Sequence, residues 1–161
     1  MTHGGTSLPE VQRLLAVLAA GRRVAEAGTA FGEGAEAMAR TARSVVTVEL
    51  DPERAEIAAE RLGPYTNVEL LVGDWLELLP PRSPFELVFL DGGGFKHAPE
   101  VHSDLVFHLL EPGGLLVLDD LTPDRPGFDP VRAWAHGHTG LRAAEILTTP
   151  STSALLVARV T

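Results

Sequence analysis

A short apolar segment followed by a segment with helical periodicity recurs five times along this chain of 161 residues, and this alternation most restricts the fold. Continuous apolar runs such as Phe85–Leu90 are typical of strands that are covered on both faces. Strands that alternate with helices pair in parallel, with the helices as crossover connections. The pattern predicts an α/β fold with a doubly wound, mostly parallel sheet, whose strands begin near Arg23, Val45, Asn67, Phe85 and Leu115.

The last two apolar segments have a different connection. Leu141–Leu147 and Ala154–Val160 are separated by a short polar segment that cannot contain a crossover helix, so these strands are predicted to be antiparallel. The expected sheet then has seven strands and ends in an antiparallel hairpin. Residues 1–161 are predicted to form a single domain, because a chain of this length can bury its own core.

Local signals set the expected helix boundaries. Ser7 has capping-box spacing and is predicted to cap the first helix, whereas Met1–Thr6 is small and polar and is expected to be disordered. Asp51 precedes a proline and is predicted to cap the helix after the second strand. A single helix is expected over Pro99–Leu110, followed by a turn at Glu111–Gly114.

The stretch Val24–Gly34 is rich in glycine and leads from an apolar run into an alanine-rich helix. Because Gly28 and Gly32 lack a Cβ atom, they can adopt unusual backbone angles and let a ligand approach the main chain. The helix start that follows offers free N–H groups to a carboxylate or phosphate. Glu49 ends the next strand about twenty residues downstream, where nucleotide-binding folds hold ribose hydroxyl groups. The spacing favours an extended nucleotide-like ligand over a plain structural turn.

Acidic residues end the fourth and fifth predicted strands. Asp91 follows the fourth strand, and Asp119 and Asp120 follow the fifth. The carboxyl ends of neighbouring parallel strands meet at the edge where such sheets bind ligands, so three carboxylates are expected there. A hard cation such as Mg²⁺ or Ca²⁺ would offset the repulsion between them. A raised carboxylate pKa or a positively charged ligand would also offset it. Alternatively, these aspartates only cap turns. His97 lies just past Asp91 and is a candidate base, because histidine titrates near neutrality.

Composition excludes several classes of function. The net charge of −9 and the lack of a Lys/Arg cluster argue against a nucleic-acid partner. The sequence has no long apolar run and no signal-peptide pattern, so no membrane contact is expected and the predicted location is cytoplasmic. Cysteine is absent, which excludes disulfides, thiolate metal sites and cysteine nucleophiles.

Five segments carry a resemblance to a known family. They are Glu26–Gly32, Val48–Pro52, Val72–Trp75, Phe89–Asp91 and Leu118–Asp120. In composition and order they resemble the motifs of class I S-adenosylmethionine-dependent methyltransferases, and among these the small O-methyltransferases of the catechol and caffeoyl-CoA type. The resemblance extends from about Pro9 to Val160. It implies a Rossmann-like methyltransferase fold and methyl transfer to a small-molecule acceptor at a hydroxyl oxygen, with a divalent cation as a further option. A homodimer is also implied.

The resemblance also implies site residues. The residues implied for S-adenosylmethionine are Glu26, Gly28, Thr29, Gly32, Glu49, Leu50, Asp74, Trp75 and Asp91. The residues implied for Mg²⁺ or Ca²⁺ are Asp91, Asp119 and Asp120. Metal-dependent relatives place a lysine three residues after the strand-four aspartate, but Gly94 stands there in this chain. Lys96 could substitute by reaching back, so the catalytic candidates are Asp91, Lys96 and His97.

Two alternatives remain open at this point. A glycine-rich loop and a strand-two acid would also suit a nicotinamide-dependent oxidoreductase. The terminal antiparallel hairpin and the aspartates at two strand ends favour the methyl donor instead. The second alternative is a protein that binds S-adenosylmethionine without turnover, which the glycine at position 94 would suit.

Overall fold

The computed structural model describes residues 7–92 and 94–161. The predicted disorder of Met1–Thr6 falls outside these residues. The strands form one seven-stranded sheet in the order β3-β2-β1-β4-β5-β7-β6. Their bounds are β1 Arg23–Ala27, β2 Ser44–Glu49, β3 Val68–Val72, β4 Phe85–Leu90, β5 Leu110–Leu121, β6 Leu141–Thr149 and β7 Thr152–Arg159.

The sheet confirms the predicted fold class. β1 to β5 pair in parallel, and β7 lies antiparallel between β5 and β6. In the register of the central strands, Ala27 is opposite both Val48 on β2 and Leu90 on β4. The carboxyl ends of β1, β2 and β4 therefore lie side by side at one edge of the sheet.

Helices cover both faces of the sheet. Their bounds are α1 Pro9–Ala19, α2 Glu33–Ala39, α3 Pro52–Leu62, α4 Trp75–Leu78, α5 Ser103–Leu109 and α6 Pro130–Gly137, with 3-10 turns at Pro80–Arg82, Phe95–His97 and Pro99–Val101. α1, α2 and α3 pack on one face, and α4, α5 and α6 pack on the other. β4 shows why both faces are apolar: Leu87 and Phe89 point to the first face, Val88 and Leu90 to the second, and all four are at most 1% exposed.

The two predicted helix N-caps, Asp51 and Ser7, have different outcomes in the structure. Asp51 caps α3 as predicted, because its side chain accepts a hydrogen bond from the Glu53 N–H. The predicted cap of α1 is wrong: Leu8 is the N-cap residue and no side chain caps that helix. Ser7 is buried instead, and its backbone carbonyl accepts a hydrogen bond from the Gln12 side chain.

The segment between β4 and β5 departs most from prediction. The expected single helix is interrupted at His102, whose backbone angles are not helical, so a 3-10 turn precedes α5. β5 begins at Leu110, opposite Phe85, before the predicted turn. Gly113 has the positive φ (+84°) that such a turn requires. It lies between Leu110 and Leu115, where the register with β4 shifts, so the turn is an irregularity within β5. No helix within residues 7–92 and 94–161 is long and apolar enough to cross a membrane.

Candidate functional site

The loop between β1 and α2, which we call the glycine loop (Gly28–Gly32), has an unusual backbone. Gly28, Ala30 and Gly32 have positive φ angles of 95°, 49° and 90°. A Cβ atom on Gly28 would lie 2.9 Å from the Gly92 backbone nitrogen, so the loops after β1 and β4 are in backbone contact. Only glycine tolerates that approach together with a positive φ.

β2 holds the glycine loop in place through consecutive residues. The Val48 carbonyl accepts hydrogen bonds from the Gly28 and Thr29 amides at 2.9 and 3.2 Å. Glu49 is 6% exposed, and its Oε2 accepts a hydrogen bond from the Ala30 amide at 2.7 Å. Its Oε1 accepts from the Asp51 amide at 3.0 Å. Glu49 thus fixes the loop and the start of α3 as well as presenting a carboxylate at this edge.

Glu26 lies beneath the glycine loop and is 1% exposed. Its Oε2 accepts a hydrogen bond of 2.5 Å from the Thr47 hydroxyl, and its Oε1 occupies the space that a Cβ on Gly34 would need. Burial raises the pKa of Glu26 to about 8 against the lowering effect of the Thr47 hydrogen bond, and the charge of Asp91 acts in the same direction as burial.

The predicted acidic cluster forms at the ends of β4 and β5. Carboxylate oxygens of Asp91, Asp119 and Asp120 all lie within 4.8 Å of one another. Asp120 has a φ of +56° and β5 shifts register against β7 between Leu118 and Leu121, so a bulge sets the direction of both acids. Asp119 is 1% exposed, and its Oδ1 has no hydrogen-bond partner among residues 7–92 and 94–161. Burial raises the pKa of Asp91 against the lowering effect of the Lys96 charge, and the charge of Asp120 acts in the same direction as burial. Burial, followed by the charges of Asp91 and Asp120, raises the pKa of Asp119 to about 8.

Lys96 and His97 follow the β4 loop in the 3-10 turn Phe95–His97. Lys96 reaches back towards the acidic cluster, and its Nζ donates a hydrogen bond of 2.8 Å to the Asp119 carbonyl. The same nitrogen lies 3.9 Å from Asp119 Oδ1. His97 is exposed. The structure therefore places Lys96 in contact with the cluster and the His97 side chain at the exposed surface.

The residues predicted to contact a nucleoside lie at the ends of β2 and β3. Leu50 is 73% exposed beside Glu49. Asp74 caps α4, and its Oδ1 accepts a hydrogen bond of 2.9 Å from the Leu76 amide. Trp75 is only 6% exposed and packs in the core edge-on to His102.

Sequence reasoning missed Thr47 and Arg61. Thr47 interrupts the apolar run of β2. A hydroxyl group in a buried strand needs a hydrogen-bond partner, so the sequence alone could have indicated that Thr47 bonds to another polar group. Arg61 on α3 donates to the Phe31 carbonyl at 2.8 Å and pairs with Glu33 and Glu36, so it holds the glycine loop from the outside. No local pattern indicated that contact, because it joins residues thirty positions apart.

The mostly parallel sheet, with β7 antiparallel between β5 and β6, has the Rossmann-like fold of class I S-adenosylmethionine-dependent methyltransferases. The glycine loop follows β1, and acids end β2, β4 and β5. The chain belongs to the methyltransferase domain family, whose model matches residues 25–121. This assignment confirms the predicted family and favours it over the nicotinamide-dependent alternative.

Solved structures and curated relatives extend the comparison. Cofactor-bound Rv0187 from MTB is 28% identical with a TM-score of 0.78, over 96% of this chain and 81% of that protein. The O-methyltransferase TomG from Streptomyces achromogenes, solved with SAM, is 26% identical with a TM-score of 0.73, over 100% of this chain and 83% of TomG. Protein-L-isoaspartate O-methyltransferase of Pyrococcus horikoshii is 35% identical over 108 residues, 65% of this chain. The chain spans 46% of that relative's length.

Proposed function

We propose that this protein transfers a methyl group from S-adenosylmethionine to an oxygen atom of an acceptor. The observation that carries the proposal is the concentration of carboxyl groups around the glycine loop, where Glu49, Asp91 and Asp119 all lie near enough for their charges to act on the buried Glu26. S-adenosylmethionine carries a positive sulfonium and a positive ammonium group, which such an edge attracts. The pyrophosphate of a nicotinamide dinucleotide would be repelled there.

Residues at the ends of β1, β2 and β3 would hold the donor. Each carboxylate oxygen has two lone pairs, so Glu49 can keep its backbone hydrogen bonds and still accept from ribose hydroxyls. The exposed Leu50 side chain would cover one face of the nucleoside, with Asp74 and Trp75 beside it. The glycine loop and Asp91 would surround the amino-acid end, with Glu26 and Thr29 buried beneath it. Bound there, the donor supplies an electrophilic methyl carbon, and the chain aligns it with the acceptor.

The acidic cluster fits a divalent cation. Asp119 Oδ1 is buried and lacks a hydrogen-bond partner among the described residues, and the Asp91 and Asp120 carboxylates lie within ligating range of a common point. Mg²⁺ and Ca²⁺ take such oxygen ligands, and either would favour the deprotonated form of an acceptor hydroxyl as a Lewis acid. Lys96 would balance part of the negative charge from the protein side.

A small-molecule hydroxyl is the acceptor that this cluster suits best. Asp91 and His97 are the groups available to receive its proton, and Lys96 would do so only in its neutral form, because an ammonium group has no lone pair. The curated relatives favour a second candidate. They are named as protein-L-isoaspartate O-methyltransferases, so a carboxyl group of a protein is the alternative acceptor. A carboxylate needs no deprotonation at neutral pH, so this reaction would depend less on a cation or base.

Calorimetric titration tests the donor site. We expect micromolar binding of S-adenosylmethionine and S-adenosylhomocysteine and none of NAD. Glu49→Gln should weaken binding at least about tenfold, because the amide nitrogen cannot accept the hydrogen bonds that one carboxylate oxygen now accepts. Glu69→Gln on the exposed side of β3 is the matched control and should bind as the wild type does. Binding of NAD alone, or of no nucleotide, would contradict the proposal.

Transfer of a radiolabelled methyl group to an acceptor panel separates the two acceptors. Methyl esters of protein carboxyl groups release methanol in mild base, whereas methyl ethers of hydroxyl groups are stable. Base-stable labelling of catechols or other small hydroxyl compounds would support the first candidate. Base-labile labelling of isoaspartyl peptides would support the second. Donor binding without transfer to either class would show a binding protein rather than an enzyme.

A further inference from the structure

Thr47 lies in the middle of β2 and is completely buried. A buried threonine hydroxyl is commonly satisfied by a nearby backbone carbonyl. Here the hydroxyl instead joins two side chains from other parts of the chain. It donates to Glu26 Oε2 at 2.5 Å, and it lies 2.6 Å from the hydroxyl of Thr29, which is 2% exposed in the glycine loop.

Two hydrogen bonds link Glu26, Thr47 and Thr29 in series. A hydroxyl has one proton to donate and two lone pairs, so Thr47 can bond to both neighbours at once. With Thr47 as the donor to Glu26 Oε2, the Thr29 hydroxyl donates to Thr47. If a protonated Glu26 donates to Thr47 instead, both directions reverse; in either case the series ties the Thr29 side chain to the sheet.

This link meets the glycine loop where its backbone is most constrained. Gly28 and Ala30, on either side of Thr29, both have positive φ angles. Ala30 pays a steric cost for that conformation, which persists only where surrounding contacts enforce it. β2 provides them from three consecutive residues: Thr47 through its hydroxyl, Val48 through its carbonyl and Glu49 through its carboxylate.

We infer that Thr47 is a positioning residue for the cofactor, holding the glycine loop in its ligand-binding shape through Thr29 while anchored on Glu26. The inference rests on the proposed function for the identity of the ligand. Without the link, the loop must be ordered when the ligand binds, and that ordering weakens affinity.

Substitutions at Thr47 test the inference by calorimetry with S-adenosylmethionine. Thr47→Val keeps the volume and the β-branched shape but removes the hydroxyl, and should weaken binding about tenfold. Thr47→Ser restores the hydroxyl and should bind within about threefold of the wild type. Thr152→Val is the matched control, because Thr152 bonds to the Thr148 and Thr149 hydroxyls in the distant β6–β7 turn. It should leave binding unchanged.

A double substitution checks that Thr47 acts through Thr29. Thr29→Val alone should weaken binding about as much as Thr47→Val, and the double variant should lose no more than either single variant. If Thr47→Val does not fold, Thr29→Val alone tests the link between the two threonines, because it leaves the hydrogen bond between Thr47 and Glu26 in place. Variants that are less stable but bind with wild-type affinity would overturn the inference and leave the proposed function intact. Failure of the wild type to bind S-adenosylmethionine would overturn both.

Discussion

Glu26 shows how the position of one side chain links stability to pH. Its carboxyl group is buried below the glycine loop with the Thr47 hydroxyl as its hydrogen-bond donor. Burial, followed by the charges of Asp91, Asp119 and Glu49, raises its pKa from 4.5 to about 8 despite that hydrogen bond. The folded protein therefore retains a proton on Glu26 at a pH where the unfolded chain has released it.

The sign of the resulting pH dependence follows from this difference. Because the folded state binds more protons than the unfolded state between pH 4.5 and about 8, the free energy of unfolding should fall as pH rises through that window. Glu26→Gln should remove this part of the decline, which we expect to exceed about 1.4 kcal/mol, the equivalent of one pKa unit. Urea unfolding at several pH values measures it. Glu77→Gln, on the exposed side of α4, should keep the wild-type slope; an unchanged slope in Glu26→Gln would contradict the assignment.

At the scale of elements, the site depends on how closely the loops after β1 and β4 approach each other. Asp91 and Gly92 both donate backbone hydrogen bonds to the Ala27 carbonyl, at 3.0 and 3.1 Å. Gly28 packs directly on Gly92. The parallel pairing of β1 and β4 creates this contact, and it brings the acidic cluster beside the glycine loop.

Gly28→Ala should therefore cost at least about 2 kcal/mol in unfolding free energy and abolish donor binding, because the new Cβ would meet Gly92 at 2.9 Å with φ at +95°. Gly137→Ala, at the end of α6, has no atom within 4 Å of the added Cβ and should be neutral or slightly stabilising. Urea unfolding and calorimetry measure both effects. A Gly28→Ala variant with normal stability and binding would show that the loops can separate at little cost.

At the scale of the whole molecule, the acidic edge lies in a protein whose net charge is −9. A cation that binds only the folded state stabilises it by mass action, by about 2.7 kcal/mol at a hundred times its dissociation constant. For a domain of this size we expect Mg²⁺ to raise the unfolding temperature by about 5–10 °C under those conditions. The net charge of −9 also supports the prediction that the acceptor is not a nucleic acid, because a negatively charged protein repels phosphate groups.

Asp119→Asn should abolish the Mg²⁺ effect in a thermal scan, because it removes the charge of a buried ligand. Asp124→Asn is the matched control: Asp124 is exposed in the loop after β5 with a φ of +52°, which asparagine also tolerates, and the Mg²⁺ effect should persist. Equal stabilisation of both variants would locate any cation elsewhere. No stabilisation of the wild type would indicate a site without a divalent cation.

The amino-acid sequence by itself determined the fold class and the main chemical groups of the site. Apolar runs alternating with helical segments allow few arrangements other than a parallel sheet, and the residue after each strand then lies at the ligand-binding edge. Glu49 and the three aspartates could be located in this way, since the rule needs only strand ends. The capping of α3 by Asp51 was also readable, because it involves neighbouring residues.

Only the tertiary structure decided the contacts that join distant residues. Leu110 extends β5 because Phe85 lies opposite it, and Thr47 matters because Glu26 and Thr29 converge on its hydroxyl. Ser7 has the local pattern of a helix cap but is buried. Periodicity and capping act over a few positions, whereas pairing, burial and buried hydrogen bonds depend on which segments the fold brings together. The sequence therefore specifies which groups reach the site, and the packing of the strands specifies which of them touch.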